Sequence, residues 1–301
     1  MNKVLAQIVF DKEKRSPLKI KRIGGGYYAD VFRFDYKDSE PIVVKVYKTK
    51  GLMEKEAEQL QLLGKYSAVP VPEVLWTHTA DESFSYDVMA MNFLQGVNGG
   101  NVTYLTSAKR RKLAEQVVDS LLQFHNVHNP EGFGEIGNAE RYETFNEYYK
   151  KRADDILIMA EALHNKGELT DYVYGVAQEA IKQFDRIFCL PITHSSLIHG
   201  DYNMWNILVD KKACKVTAVI DPCGCMWGDS EFDLYQLNNA NGKKLGLFDV
   251  YSEKKKLSEN CLQKMAFYEV FTEIEHYYKS GHPVVKRLIK IHADALNAYL
   301  L

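Results

Sequence analysis

The chain has 301 residues, 46% hydrophobic and 26% charged, with 38 basic and 40 acidic residues for a net charge of −2. This is the size at which one core tends to split into two lobes, and the composition of a globular protein. The balanced charge leaves no footprint for nucleic acid, no apolar run approaches the ~18 residues of a membrane helix, and residues 1–10 are too short and too soon followed by charge for a signal peptide.

The first twenty residues are weakly patterned. Residues 19–23 alternate as a strand, Gly24-Gly25-Gly26 form a turn, and residues 31–34 form a second strand. A glycine turn between strands lets backbone N–H groups approach phosphates, although this one is neither G-x-G-x-x-G nor a Walker loop. Residues 41–47 make a third strand with Lys45 between Val44 and Val46; Lys48 and Lys50 follow as lesser candidates. Residues 52–66 have the composition of a helix and carry Glu56 and Glu58. Two positions turn a helix by about 200°, so only one of these can face inward. Val69-Pro70-Val71-Pro72 is a stiff connector. Residues 73–77 and 86–91 complete five strands of an antiparallel sheet, the last running into Asn92 and Phe93.

Residues 97–102 read as a loop. Residues 109–128 read as an amphipathic helix, with Leu113, Val117, Leu121 and Phe124 at helical spacing and a structural His125 near its end. Helices are also expected over 142–162, 172–188 and 262–278. The last is rich in aromatics and carboxylates, Glu269 among them. Between these helices lies the densest polar pattern. Leu197-Ile198 leads into His199-Gly200-Asp201, Asn206 follows five residues later, and the β-branched run 216–220 ends at Asp221-Pro222. Polar side chains at the ends of short buried strands are held still, as chemistry requires. The competing reading is that Asp, Gly and Asn here only make turns. Asp229 and Asp233 follow, either to hydrogen-bond the loop after Ile198 or to cap the next helix. Five cysteines (189, 214, 223, 225 and 261) are odd in number and irregular in spacing, which suits reduced thiols of a cytoplasmic protein.

H-G-D-x-x-x-x-N-I-L followed by V-I-D resembles the aminoglycoside phosphotransferase and choline kinase superfamily. Gly200 stands where protein kinases have Arg, and Pro222 where they have the Phe of D-F-G. Trp205, Asp221-Pro222 and Glu231-Phe232-Asp233-Leu234 are most similar to its fructosamine kinase branch, though Asn203, Met204 and Trp205 depart from that pattern. The resemblance implies an α+β, bilobal protein-kinase-like fold, with an antiparallel nucleotide-binding lobe over 1–94 and a helical lobe over 95–301. It implies an ATP- and Mg²⁺-dependent kinase of a small-molecule hydroxyl, with a fructosamine or ketosamine acceptor favoured over aminoglycoside or choline types. A nucleotide-binding pseudokinase or regulator is the reading from another class. Within the family pattern Asp201 is the base, and Asn206 and Asp221 hold Mg²⁺. Lys45, oriented by Glu56, meets the α/β-phosphates beneath Gly24, Gly25 and Gly26, and backbone near Met91, Asn92 and Phe93 pairs with adenine. Trp205 and Glu269 would face the acceptor, against the alternative that both belong to core or solvated helix faces. No nucleic acid or membrane partner is implied, and the chain is expected to be a monomer, with a dimer open.

Overall fold

The computed structural model describes residues 3–103 and 105–301. Its first element departs from the sequence reading. The weakly patterned N-terminus is a helix, α1 (Lys3–Glu13), whose Leu5 and Val9 sit one turn apart. Both bury against Phe34, Ile42 and Val44 of the sheet that follows. Only these two positions are fully buried, which left too little periodicity for a helix to stand out.

Five strands then form one antiparallel sheet: β1 (Lys19–Gly25), β2 (Ala29–Asp35), β3 (Ile42–Tyr47), β4 (Val74–His78) and β5 (Asp87–Asn92), in the order β1-β2-β3-β5-β4. Helix α2 (Leu52–Tyr66) crosses between β3 and β4. Alternation along β3 turns Val44 and Val46 to one side and Lys45 to the other.

Residues expected as loop beyond the sheet contain a short strand, β6 (Val97–Asn98), and a 3₁₀ turn. A helical bundle follows. Helix α3 (Ser107–His125) starts at a Thr106 cap. β7 (Gly134–Glu135) precedes α4 (Phe145–Asn165), which opens on a capping box between Thr144 and Glu147. The single helix expected over 172–188 is two, α5 (Asp171–Lys182) and α6 (Phe184–Ile187), broken at Gln183. The strands β8 (Ser196–Ile198), β9 (Ile207–Asp210), β10 (Lys215–Val219) and β11 (Met226–Gly228) form two small sheets, ordered β10-β9-β6 and β7-β11-β8. After a 3₁₀ segment over Ser230–Asn238 come α7 (Gly242–Leu245), α8 (Leu247–Lys254), α9 (Cys261–Ser280) and α10 (Pro283–Leu300). The last helix buries Val285, Ile289, Ala293, Leu296 and Leu300, a clear helical stripe against α9 and α5. No helix among the described residues is long and apolar enough to cross a membrane.

Candidate active site

The two small sheets aim one loop. β8 ends at Ile198, and the backbone N–H groups of His199 and Gly200 both donate to Asp233, at 2.9 and 2.8 Å. Asp233 is fully buried and also meets His125 Nε2 at 3.2 Å. Tyr202, again fully buried, donates its hydroxyl to the Val117 carbonyl of α3 at 2.8 Å. Asp229 and Asp233 thus divide the roles left open for them. Asp233 holds the loop, while Asp229 accepts from Glu231 N and caps the 3₁₀ segment. Asp229 further binds Lys264 Nζ and the Tyr268 hydroxyl, both at 2.7 Å, which fixes α9 to the same segment.

Gly200 has φ +83°, and a Cβ there would lie 2.1 Å from the Cys223 carbonyl oxygen. Only glycine lets the loop pass this close to the segment after Asp221. The loop therefore projects Asp201 with both carboxylate oxygens engaged: Oδ1 accepts from Asn203 Nδ2 at 2.6 Å, and Oδ2 from Asn206 Nδ2 at 2.7 Å. Burial, and next the charge of Asp221, pushes the Asp201 carboxyl up to about 7 against the pull of these two bonds. The sequence reading missed Asn203, which looked only like a departure from a family pattern.

Across the cleft, Lys45 Nζ lies 2.9 Å from Glu56 Oε1 and 2.5 Å from Asp221 Oδ1. Burial works against its charge, but Asp221 and Glu56 outweigh burial and hold the ammonium above its ordinary value. Glu56 is the inward member of its pair. Its second oxygen accepts from the Tyr47 hydroxyl at 2.9 Å, a contact the sequence reading did not foresee. Glu58 instead faces Gly137. Asp221 adopts φ +57°, a left-handed conformation uncommon outside glycine, and its side chain is 54% exposed toward the cleft.

The remaining candidates are placed as follows. Gly24 and Gly25 end β1 and Gly26 begins the turn, whose carbonyl accepts from Lys48 Nζ at 2.9 Å. A Cβ at Gly25 would collide with Asp30 and Arg22, whereas one at Gly26 meets nothing within 4 Å. Met91 and Asn92 close β5, and Phe93 lies under the Arg33 guanidinium at 4.0 Å. The Asn92 amide is already donated to the Glu73 carbonyl at 3.1 Å. Trp205 is half exposed, and one face of its indole packs on Gly100, so it is not a core residue beneath the loop. Glu269 meets His292 of α10 at 3.4 Å, beside a 2.7 Å pair of His292 with Glu273, and burial pushes its carboxyl up to about 7.

Tyr28, at the end of the glycine turn, stacks on His276 of α9, ring centroids 6.4 Å apart. The turn therefore reaches across the cleft to the last turns of α9, leaving the polar cluster of Lys45, Glu56, Asp201, Asn206 and Asp221 between the sheet and the helical bundle.

Residues 19–246 match the model of the phosphotransferase enzyme family, APH. A protein assigned as a fructosamine-3-kinase from Haemophilus somnus 129PT superposes with a TM-score of 0.73 at 15% identity, over 98% of this chain and 97% of that one. A thermostable mutant of the aminoglycoside phosphotransferase APH(4)-Ia, in ternary complex with AMP-PNP and hygromycin B, gives 0.71 at 18% identity over 98% and 97%. The uncharacterized protein YcbJ of Escherichia coli K12 is 21% identical over 247 residues, 80% of each chain. These identities speak to a protein-kinase-like α+β fold. The family match covers most of the chain and carries more: the protein belongs to the phosphotransferase enzyme family.

Proposed function

We propose that the chain transfers the γ-phosphoryl group of ATP to a hydroxyl of a small molecule, with a ketosamine as the favoured acceptor. The observation that carries this reading is the Lys45 ammonium, bound to Glu56 on one side and Asp221 on the other, with the half-buried Asp201 carboxylate within reach of the Asp221 charge. Phosphoryl transfer asks the protein for positioning and charge compensation more than for covalent chemistry, and this cluster offers both.

Lys45 binds the α/β-phosphates, and Glu56 and Tyr47 keep its stem from swinging out. Asn206 spends its Nδ2 on Asp201, which turns its Oδ1 the other way, and the exposed Asp221 carboxylate lies nearby. Two oxygen donors, one anionic, fit Mg²⁺, which keeps waters and takes phosphate oxygens for its other positions. Bound Mg²⁺·ATP supplies the phosphoryl group and offsets its charge. Asp201 accepts the proton of the acceptor hydroxyl, held in aim by Asn203 and Asn206. The division between a nucleotide lobe over 1–94 and a helical lobe over 95–301 belongs to this reading, as does a cytoplasmic monomer. With Lys45, Asp201, Asn206 and Asp221 all present, the pseudokinase alternative has no feature in its favour.

The test is ATP turnover by the purified chain against glycated amines, aminoglycosides, choline and simple sugars. The expected result is Mg²⁺-dependent turnover that is highest with a glycated amine. Turnover confined to an aminoglycoside or choline overturns the ketosamine preference, and none with any acceptor overturns the kinase reading.

A further inference from the structure

Helix α2 carries Glu56 but has no side-chain cap. It begins after Gly51, which is left-handed (φ +79°) and offers the first turn no hydrogen bond. The opening turns of a helix hold unpaired N–H groups and fray unless something outside the helix ties them down. Glu56 starts the second turn, so the aim of its carboxylate at Lys45 depends on such a tie. Lys55, the residue before it, donates to Glu135 Oε2 at 2.5 Å, and Glu135 belongs to β7 on the side of the helical bundle.

Consecutive helix positions point about 100° apart, so Lys55 reaches outward to β7 while Glu56 reaches inward. The turn after β7 lies against the same face of α2. A Cβ on Gly137 (φ +84°) would come 3.1 Å from Glu58 Oε2 and 3.5 Å from Lys55 Cγ. β7 is itself held, since Glu135 lies opposite Met226 of β11 and Ile136 N donates to the Cys225 carbonyl at 3.2 Å. These contacts close a ring. It runs from Glu56 to Lys55, across to Glu135, through β11 back to Asp221, and Lys45 Nζ joins its two ends.

Burial pushes the Glu135 carboxyl up, but Lys55, and after it Arg152, outweigh burial and hold it below its ordinary range. Glu275, which would repel it, is itself paired with Arg152 at 2.8 Å. The pair is thus ionised at neutral pH. Just beyond the other end of α2, the Ala68 amide donates to Gln123 Oε1 of α3 at 2.8 Å, so the helix is tied to the bundle at both ends. A rotation of α2 by about 20° would move a carboxylate roughly 5–6 Å from the helix axis by about 2 Å. That is enough to part Glu56 Oε1 from Lys45 Nζ, which lie 2.9 Å apart.

We propose that Lys55 and Glu135 are positioning residues for the nucleotide: their ion pair sets the rotation of α2 and with it the aim of Glu56 at Lys45. The word nucleotide rests on the kinase reading; the strut does not. Both side chains are 34% exposed, and a pair so exposed adds little to global stability. Its loss is therefore expected in the site and not in melting. The full-length chain, Lys55→Met, Glu135→Gln, the double variant and Lys55→Arg are titrated calorimetrically with Mg·ATP, and amide exchange is followed over residues 56–60. Each of Lys55→Met and Glu135→Gln should weaken Mg·ATP binding by about fivefold or more, as displaced positioning groups do. The double variant should lose no more than either, because the two residues act as one. Lys55→Arg keeps the charge and should bind like the parent. Exchange over 56–60 should quicken about fivefold or more in Lys55→Met. Unchanged Mg·ATP affinity in folded Lys55→Met, losses that add in the double variant, or a lower melting temperature without selective loss of affinity overturns the proposal. Unchanged exchange in Lys55→Met overturns it as well. A parent chain that does not bind Mg·ATP sinks the kinase reading, and the exchange over 56–60 then decides the strut alone.

Discussion

The carboxylate of Asp233 holds the backbone of Gly200, 33 residues earlier, by a 2.8 Å hydrogen bond from the glycine amide. Its other oxygen takes the His199 amide and faces the buried His125 ring. Asp233→Asn keeps the shape but presents an NH₂ to one of these donors. The expected loss is about 2–4 kcal/mol of stability, as for a broken buried charged hydrogen bond. Turnover should fall at least tenfold while the ATP Kd changes little, because Lys45 is untouched. Thermal melting and calorimetric ATP titration of the same preparation check this, and full turnover would remove Asp233 from loop positioning.

Lys45→Met removes the cation between Glu56 and Asp221. Affinity for Mg·ATP should drop at least tenfold, since a buried ammonium facing phosphates has lost its place. Lys45→Arg should not restore it, because a forked guanidinium does not fit a slot shaped by Glu56 and Tyr47 for a point charge. ATP binding that survives in Lys45→Met would show the nucleotide phosphates to lie elsewhere.

Asp201 gives a prediction with a pH sign. Burial and the nearby Asp221 raise its folded-state carboxyl to about 7, above its ordinary 3.8. Between these values the folded state binds more protons than the unfolded one, so Asp201 lowers stability as pH rises from about 4 to 7. Asp201→Asn should therefore be more stable than the parent at pH 8, by on the order of 1–4 kcal/mol, and the gain should vanish near pH 4. The same variant should lose roughly 10²–10⁴-fold in turnover. Melting curves at the two pH values decide the first part. A gain that is equal at both would place the effect outside ionisation.

Gly200→Ala and Gly26→Ala form a matched pair. The first puts a methyl group 2.1 Å from the Cys223 carbonyl at φ +83°, while the second meets open space without a positive φ. Gly200→Ala should cost about 2–4 kcal/mol and most of the activity. Gly26→Ala should leave the melting temperature within a degree or two. Equal melting temperatures would contradict the close loop approach.

Trp205→Phe should leave stability nearly unchanged, because the indole is half exposed and rests one face on Gly100. If the free face meets the acceptor, its KM shifts at constant ATP KM. A drop in melting temperature alone makes Trp205 a packing residue.

The parts of this protein that were legible in its sequence are those fixed by short range. Lys45 lies inside a strand whose alternation sets its side, and Glu56 sits on the next helix, so their meeting follows from two local periods. Asp201, Asn206 and Asp221 lie on one strand-loop-strand unit. The partners that remained hidden are distant in the chain or depend on backbone shape. Arg152 and Glu275 are 123 residues apart on helices whose relative rotation no local pattern fixes. Glu269 was read as facing the acceptor, yet its ion pair is with His292 on a helix that follows α9 after a two-residue turn at Gly281 and His282. The left-handed backbone at Asp221 left no trace in composition, and Asn203 looked like a mismatch until its amide met Asp201.

The tight passage at Gly200 also bears on regulation. Protein kinases order the segment after their metal-binding aspartate by pairing a phosphorylated side chain with arginine, so that a second enzyme switches them on. Here the backbone at residue 200 has no room for any side chain, and the segment from Asp221 turns into β11 within five residues. Asp233, a carboxylate that would repel phosphate, occupies the polar floor of the loop. The path of this loop is therefore fixed from within the fold, by the backbone approach at Gly200 and by the carboxylate beneath it.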